Sequence, residues 1–365
     1  MSATNLPVLT LEQTLASQKD LGNLCADRPL ETNEIFQPNA FYGNDSVLKR
    51  YAGLPQEYPL KVIIPHGIVF ADDFVWKEEA RSFLPAVWCY SSHRESAYIN
   101  ATRKVVIRSA SPFLYAVETL KGQPQPERRG TIFFPAHSTH YVTSQMDFEA
   151  LAEELTHLGE EHQPVTVCIY WRDFNLGHHL PFQEHGFPIV SAGHIYDRAF
   201  LFRLYHLCSM HRYAASNELG SQLFYSTKAG CSYFHLDKFE TTTIAENRIL
   251  ERDTSRTPPA AEAALKLLFS TPRPCTTTEQ MRAVDYYLGT DFLKSPEGLR
   301  RQLLYAERLD KFGFVVHNRG ERVRFIIPSC YSRAGMNLAV RLKLAGVRRR
   351  IRRLWGTTGE GNKIC

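Results

Sequence analysis

The chain has 365 residues, 44% of them hydrophobic and 22% charged, a balance that excludes a disordered or collagen-like polymer. Lys and Arg outnumber Asp and Glu by only 43 to 38, too small an excess to mark a nucleic-acid-binding protein. No uninterrupted apolar run approaches the roughly 18 residues of a membrane-spanning helix. The opening residues also lack the charged start and apolar core of a secretory signal, so a cytoplasmic location is expected.

In chain order, residues 61–65 (KVIIP), 86–90 and 104–107 read as short buried strands. Helical periodicity falls at 74–83, 93–101 and 112–121. A Pro-rich polar stretch, 122–129 (GQPQPERR), follows and suits a linker. A second alternating set then begins, with strands at 130–136 (GTIFFPA), 165–171, 187–191, 212–216 and 231–234. Its helices fall at 147–158, 197–210 and 218–228. Strand-helix-strand alternation requires parallel pairing through right-handed crossovers, hence doubly wound sheets. After a polar break at 251–260 come helices at 261–269, 278–288 and 296–311. Two strands flanking HNRGE, 314–316 and 322–326, make a hairpin. The predicted fold is α/β, with two Rossmann-like domains, 1–125 and 126–330, facing a cleft, and a basic amphipathic tail over 331–365.

Strand ends supply the candidate chemistry. His66, followed by Gly67 after the first strand, presents an imidazole able to take a proton at neutral pH; Asp72 and Asp73 are alternative bases or orienting groups. His137, Ser138, Thr139 and His140 cluster donors suited to phosphate oxygens after the strand at 130–134. Ser216 and Asn217 read as helix caps, and with Glu218, Gly220 and Ser221 they form a turn whose free amides attract an anion. Glu218 is a candidate for a ribose or sugar hydroxyl. Gly193 permits close backbone approach, and His194 is placed to stack on a base or ribose. Neither a Gly-rich phosphate loop nor G-x-G-x-x-G occurs, which argues against an ATPase or a dehydrogenase. His178, His179 and His185 match no zinc spacing, and D-x-D is absent, so no metal is expected. Eight scattered cysteines, with no C-x-x-C pair, read as reduced core residues.

The tail carries seven basic residues and no acid from 341 to 353. Arg348, Arg349, Arg350, Arg352 and Arg353 flank an apolar stripe that ends at Trp355, the pattern of a helix lying on anionic lipid.

With these parts in this order, the chain resembles the GT-B glycosyltransferases of bacterial envelope and capsule synthesis. It is similar, more distantly, to the teichoic-acid polyol-phosphate transferases. His66-Gly67 looks like the base-bearing pair of the latter family, residues 135–140 like the opening of its C-terminal domain, and Ser216-Asn217 like its donor-phosphate Ser-Ser pair. The segment 216–224 (SNELGSQLF) also resembles the donor-binding segment of sialyl- and Kdo-transferase-like capsule proteins. The resemblance covers about residues 61 to 234, and implies an acceptor role for the first domain and a nucleotide-sugar role for the second. It implies a metal-independent, inverting transferase without a cofactor, which takes a CMP- or CDP-linked sugar to a polysaccharide or lipid-linked glycan at the inner face of the plasma membrane. A polyol-phosphate transferase and a non-catalytic nucleotide-sugar-binding protein are the alternatives, with a nucleotide-sugar epimerase a weaker one.

Overall fold

The structure is a computed structural model that describes residues 8–70, 74–139, 142–237, 242–245, 260–312, 314–318 and 322–326. Asp72, Asp73, His140 and the basic tail with Arg348, Arg349, Arg350, Arg352, Arg353 and Trp355 lie outside the described residues.

The strands are β1 (Val62–Ile63), β2 (Ala86–Cys89), β3 (Val105–Arg108), β4 (Thr131–Phe134), β5 (Val142–Gln145), β6 (Val165–Cys168), β7 (Ile189–Val190), β8 (Tyr213–Ser216), β9 (Ser232–His235), β10 (Thr242–Ala245), β11 (Phe314–Asn318) and β12 (Arg322–Ile326). The first three form a parallel sheet in the order β1-β2-β3, and five more form a second parallel sheet in the order β7-β6-β4-β8-β9. The fold is therefore α/β with two Rossmann-like sheets. Runs such as TIFF in β4 and AVWC in β2 are buried at every position, as strands covered on both faces must be. β11 and β12 pair as the expected hairpin. The antiparallel pairing of β5 with β10 had no forewarning in the sequence, because VTSQ and TTIA lack the apolar content that marks a buried strand.

Two segments pack away from their nearer sheet in sequence. Near the start, the His206 ring bonds the Leu9 carbonyl at 2.8 Å and Gln18 exchanges bonds with the Ser191 backbone, which ties residues 9–18 to the second sheet's helices. Near the end, the helices Thr278–Leu288 and Pro296–Phe312 lean on the first sheet: Ser111 N–H donates to the Leu288 carbonyl, Tyr58 to Glu307, and Lys61 pairs with Asp310. One continuous core unites these parts, running from Trp88 and Phe113 through Leu207 to Phe224 and Leu303. Phe113 stacks on Tyr225 at 4.4 Å between ring centres. Each large buried side chain of this core contributes about 1.5–3 kcal/mol by leaving water.

The segment between them is also anchored to both sheets. Asn39 is buried and brackets β1, accepting from Ile64 N–H and donating to the Val62 carbonyl. Tyr42 N–H then donates to the Ile195 carbonyl beside the second sheet. Tyr42 has φ of 58°, a left-handed conformation that costs a residue with a Cβ on the order of 1–2 kcal/mol. Gly43 follows at φ 70°, where an added Cβ would lie 2.3 Å from the Arg198 carbonyl oxygen.

Candidate functional site

In the second sheet the chain moves from β4 outward to β7, then returns to place β8 on the other side of β4. The carboxyl ends of β4 and β8 therefore flank the switch point, where open α/β sheets leave a crevice for a ligand. Ala136 N–H, just past β4, donates to Asn217 Oδ1, just past β8, at 2.8 Å, and pins the two loops together.

The residues expected to hold phosphate divide into two groups. His137 and Glu218 face each other across the switch point. His137 N–H donates to the Glu218 carboxylate, and the His137 ring lies 4.6 Å from that of Tyr170. Glu218 is open to solvent yet closely walled. Lost hydration raises its carboxyl above the ordinary 4.5, opposed by nearby His137. An accessible carboxylate with a raised pKa is what a concave polar site produces. Thr139 is exposed on the same loop.

Ser138 and Ser216 belong to the other group. Both are fully buried, so neither offers its hydroxyl to a ligand as the sequence had led us to expect. Ser138 Oγ donates to Asp173 Oδ1 at 2.7 Å and accepts from Ser144 N–H, while Ser138 N–H donates to the same carboxylate. Asp173 also bonds His178 Nδ1 at 2.9 Å, and His178 stacks on Phe148. Ser216 Oγ accepts from Glu218 N–H and from Gln222, and donates back to the Glu218 carbonyl. The two serines shape the loops on which His137 and Glu218 sit. The cap also moves: the helix Ser221–Lys228 has Gly220, not Ser216 or Asn217, at its N-cap, with no side-chain cap bond.

Gly193 and His194 have interior roles. Gly193 adopts φ 100°, and a Cβ there would meet Arg203 Nη1 at 2.9 Å and Asp197 Oδ2 at 3.1 Å. The close approach it permits is that of its own protein's ion pair. His194 is fully buried, 4.0 Å from the Trp171 ring, and accepts from Tyr196 N–H; it does not open to the crevice.

His66 follows β1, where Gly67 turns the chain with φ 74°. Its imidazole is half-buried between Phe41 (5.7 Å, edge-on) and Trp76 (6.2 Å, nearly parallel). No hydrogen-bond partner reaches it among the described residues. Burial lowers its pKa from the ordinary 6.5, opposed by Glu78, so the ring is a neutral base at pH 7. The same loop touches the second sheet's helix: Ile68 N–H donates to Ser221 Oγ at 2.9 Å. The structure thus brings the His66 loop to the N-terminus of the helix that follows β8. Sequence reasoning missed the third wall, Phe41-Tyr42-Gly43, whose one signal was a Gly placed between aromatic residues and a helix.

Among the described residues no three His, Cys, Asp or Glu side chains converge as a metal site. Likewise, none of their helices is long and apolar enough to cross a membrane. His179 stacks on Phe174, and His185 bonds the Pro181 carbonyl.

No protein-family model matches the chain, and no curated protein does. Among solved structures it is similar to UDP-GlcNAc 2-epimerase from Neisseria meningitidis bound to UDP-GlcNAc, at 13% identity over 82% of this chain and 89% of that one, with a TM-score of 0.34. A likeness this slight carries no inference about chemistry.

Proposed function

We propose that the chain is a nucleotide-sugar-dependent glycosyltransferase whose site lies between the carboxyl ends of the two parallel sheets. What supports this reading is the contact of the loop that carries His66 with Ser221, at the start of a helix, together with the burial that lowers the His66 pKa and leaves its imidazole neutral at pH 7. In that arrangement the amides at Ser221 and Gln222, which have no partner among the described residues, attract the donor's phosphate. His137 and the Glu218 carboxylate meet the rest of the nucleotide-sugar. His66 removes the proton from the acceptor hydroxyl as that oxygen attacks the anomeric carbon. The carbon–phosphate-oxygen bond breaks in line, the configuration inverts, and the nucleotide leaves with the electron pair. Cradling that leaving charge is worth a few kcal/mol per donor, about 3–4 where measured in other enzymes. No step requires a metal. The arginine-rich tail, on sequence alone, would hold the protein against anionic lipid, where lipid-linked acceptors reside.

The test is a thermal-shift series with CMP, CDP, UDP, GDP and ADP in EDTA. A nucleotide at 100 times its Kd adds about 2.7 kcal/mol, and the one that stabilises names the donor class. A flat response to all five, repeated with Mg²⁺, removes the reading.

Glu218 favours a second reading, a nucleotide-sugar epimerase. A carboxyl with a raised pKa in the crevice could exchange a proton with a sugar carbon while His66 serves the opposite face. Solvent deuterium at a sugar carbon, with no free nucleotide released, would single it out.

A further inference from the structure

The loop that carries His66 is gripped on both sides of that residue. Before it, the buried Tyr90 donates its hydroxyl proton to the Pro65 carbonyl at 2.7 Å. After it, Ile68 N–H meets Ser221, and the Val69 carbonyl oxygen lies 3.1 Å from His93 Nε2. Phe70 then packs on Phe224 and on Tyr287. His93 is the second residue of the helix Ser92–Ala101, which follows β2. A carbonyl oxygen only accepts, so Nε2 carries the proton of the neutral ring. Nδ1 is left to accept from Ser91 Oγ, 2.9 Å away and on a buried residue. Two tyrosines orient the ring: Tyr286 stacks on it at 5.7 Å and Tyr287 meets it edge-on at 5.2 Å. The His93 N–H also donates to the Tyr286 hydroxyl at 3.2 Å.

We infer that His93 is a positioning residue for His66, holding the loop through the Val69 carbonyl so that the imidazole stays between Phe41 and Trp76. The effect on turnover rests on the reading of His66 as the base, whereas the hold on the His66 ring does not. Gly67, in the left-handed region at φ 74° directly after His66, gives this stretch of backbone unusual freedom. Side-chain bonds must therefore supply the rigidity that a base needs, because a misplacement of about 1 Å can cost roughly a hundred-fold in rate. The tautomer held by Ser91 is the one that keeps the donor turned toward Val69.

The test follows the His66 imidazole by NMR titration of the full chain, with turnover and nucleotide affinity measured on the same variants. His93→Phe keeps a ring against the two tyrosines and removes both ring-nitrogen bonds. His93→Gln restores a donor close to the place of Nε2. In wild type, burial holds the His66 midpoint below 6.5, opposed by Glu78, which none of these substitutions alters. In His93→Phe the midpoint should rise toward 6.5 as the His66 ring gains water, and the acid limb of turnover should move with it. Turnover should fall about ten- to a hundred-fold with nucleotide affinity unchanged, and His93→Gln should recover most of both properties. Ser91→Ala keeps His93 but frees Nδ1 to take the proton, so it should move the midpoint the same way by less, and it serves if His93→Phe does not fold. An unchanged midpoint in folded His93→Phe, or in Ser91→Ala should the former not fold, would overturn the inference. So would a loss of nucleotide affinity that matches the loss of turnover. A midpoint that moves while His66→Ala keeps its turnover leaves the hold standing and sinks the base.

Discussion

Ile68 donates its amide proton to the hydroxyl of Ser221 across 153 residues of sequence. This bond joins the loop after the first strand of one sheet to the first residue of the helix after β8 in the other. It ties the loop that carries His66 to the helix after β8, and the proposed chemistry depends on that tie.

Ser221→Ala removes the acceptor and leaves the amide without a protein partner. The expected cost is about 1 kcal/mol in urea unfolding, with a several-fold fall in turnover and little change in nucleotide affinity. A loss of nucleotide binding equal to the loss of turnover would mean that Ser221 serves the ligand directly.

Asp173 holds the 137–139 loop through Ser138 and is itself 1% exposed. Asp173→Ala strands buried donors on Ser138 and His178, a loss on the order of 3–5 kcal/mol. Denaturant melts should show it, and nucleotide affinity should fall with it because His137 is released.

Gly193→Ala should destabilise by about 2 kcal/mol, from a left-handed backbone and crowding of Arg203. Nucleotide affinity of the folded fraction should stay unchanged. A variant of full stability with impaired binding would return Gly193 to the crevice.

Glu79 is buried against Tyr98, and its carboxyl is raised from 4.5 to about 7, chiefly by lost hydration. The folded state therefore holds a proton that the unfolded chain has released between those values, so this group's contribution declines as pH rises from 4.5 through about 7. Glu79→Gln keeps an acceptor for Tyr98 and cannot ionise. It should stabilise the protein at pH 8 relative to pH 5 by about 3 kcal/mol more than wild type, an order-of-magnitude figure. Equal pH slopes for the two proteins would contradict it.

The alternation that identified the parallel sheets was legible because strands buried on both faces are apolar throughout, as in TIFF and AVWC. Which hydroxyls face a ligand was not legible. Ser138 and Ser216 have the right chemistry at the right strand ends, but tertiary partners, Asp173 and the turn at Glu218, claim them. The glycine at 193 marks a site of close approach in the sequence, yet its partner, Arg203, comes from the following helix. Sequence separation hid the role of Phe41 and Tyr42, which reach the site from outside both alternating sets.

The most direct measurement is release of free nucleotide from the stabilising nucleotide-sugar by His66→Ala, with nucleotide affinity determined on the same protein. A general base contributes about 10²–10⁴-fold, so turnover should fall by at least about a hundred-fold while affinity changes little. Wild-type pH profiles should show an acid limb with its midpoint below the ordinary 6.5 of histidine, since burial lowers the His66 pKa, and a plateau at neutral pH. Turnover that survives the loss of the imidazole would contradict the assignment of His66 as the base.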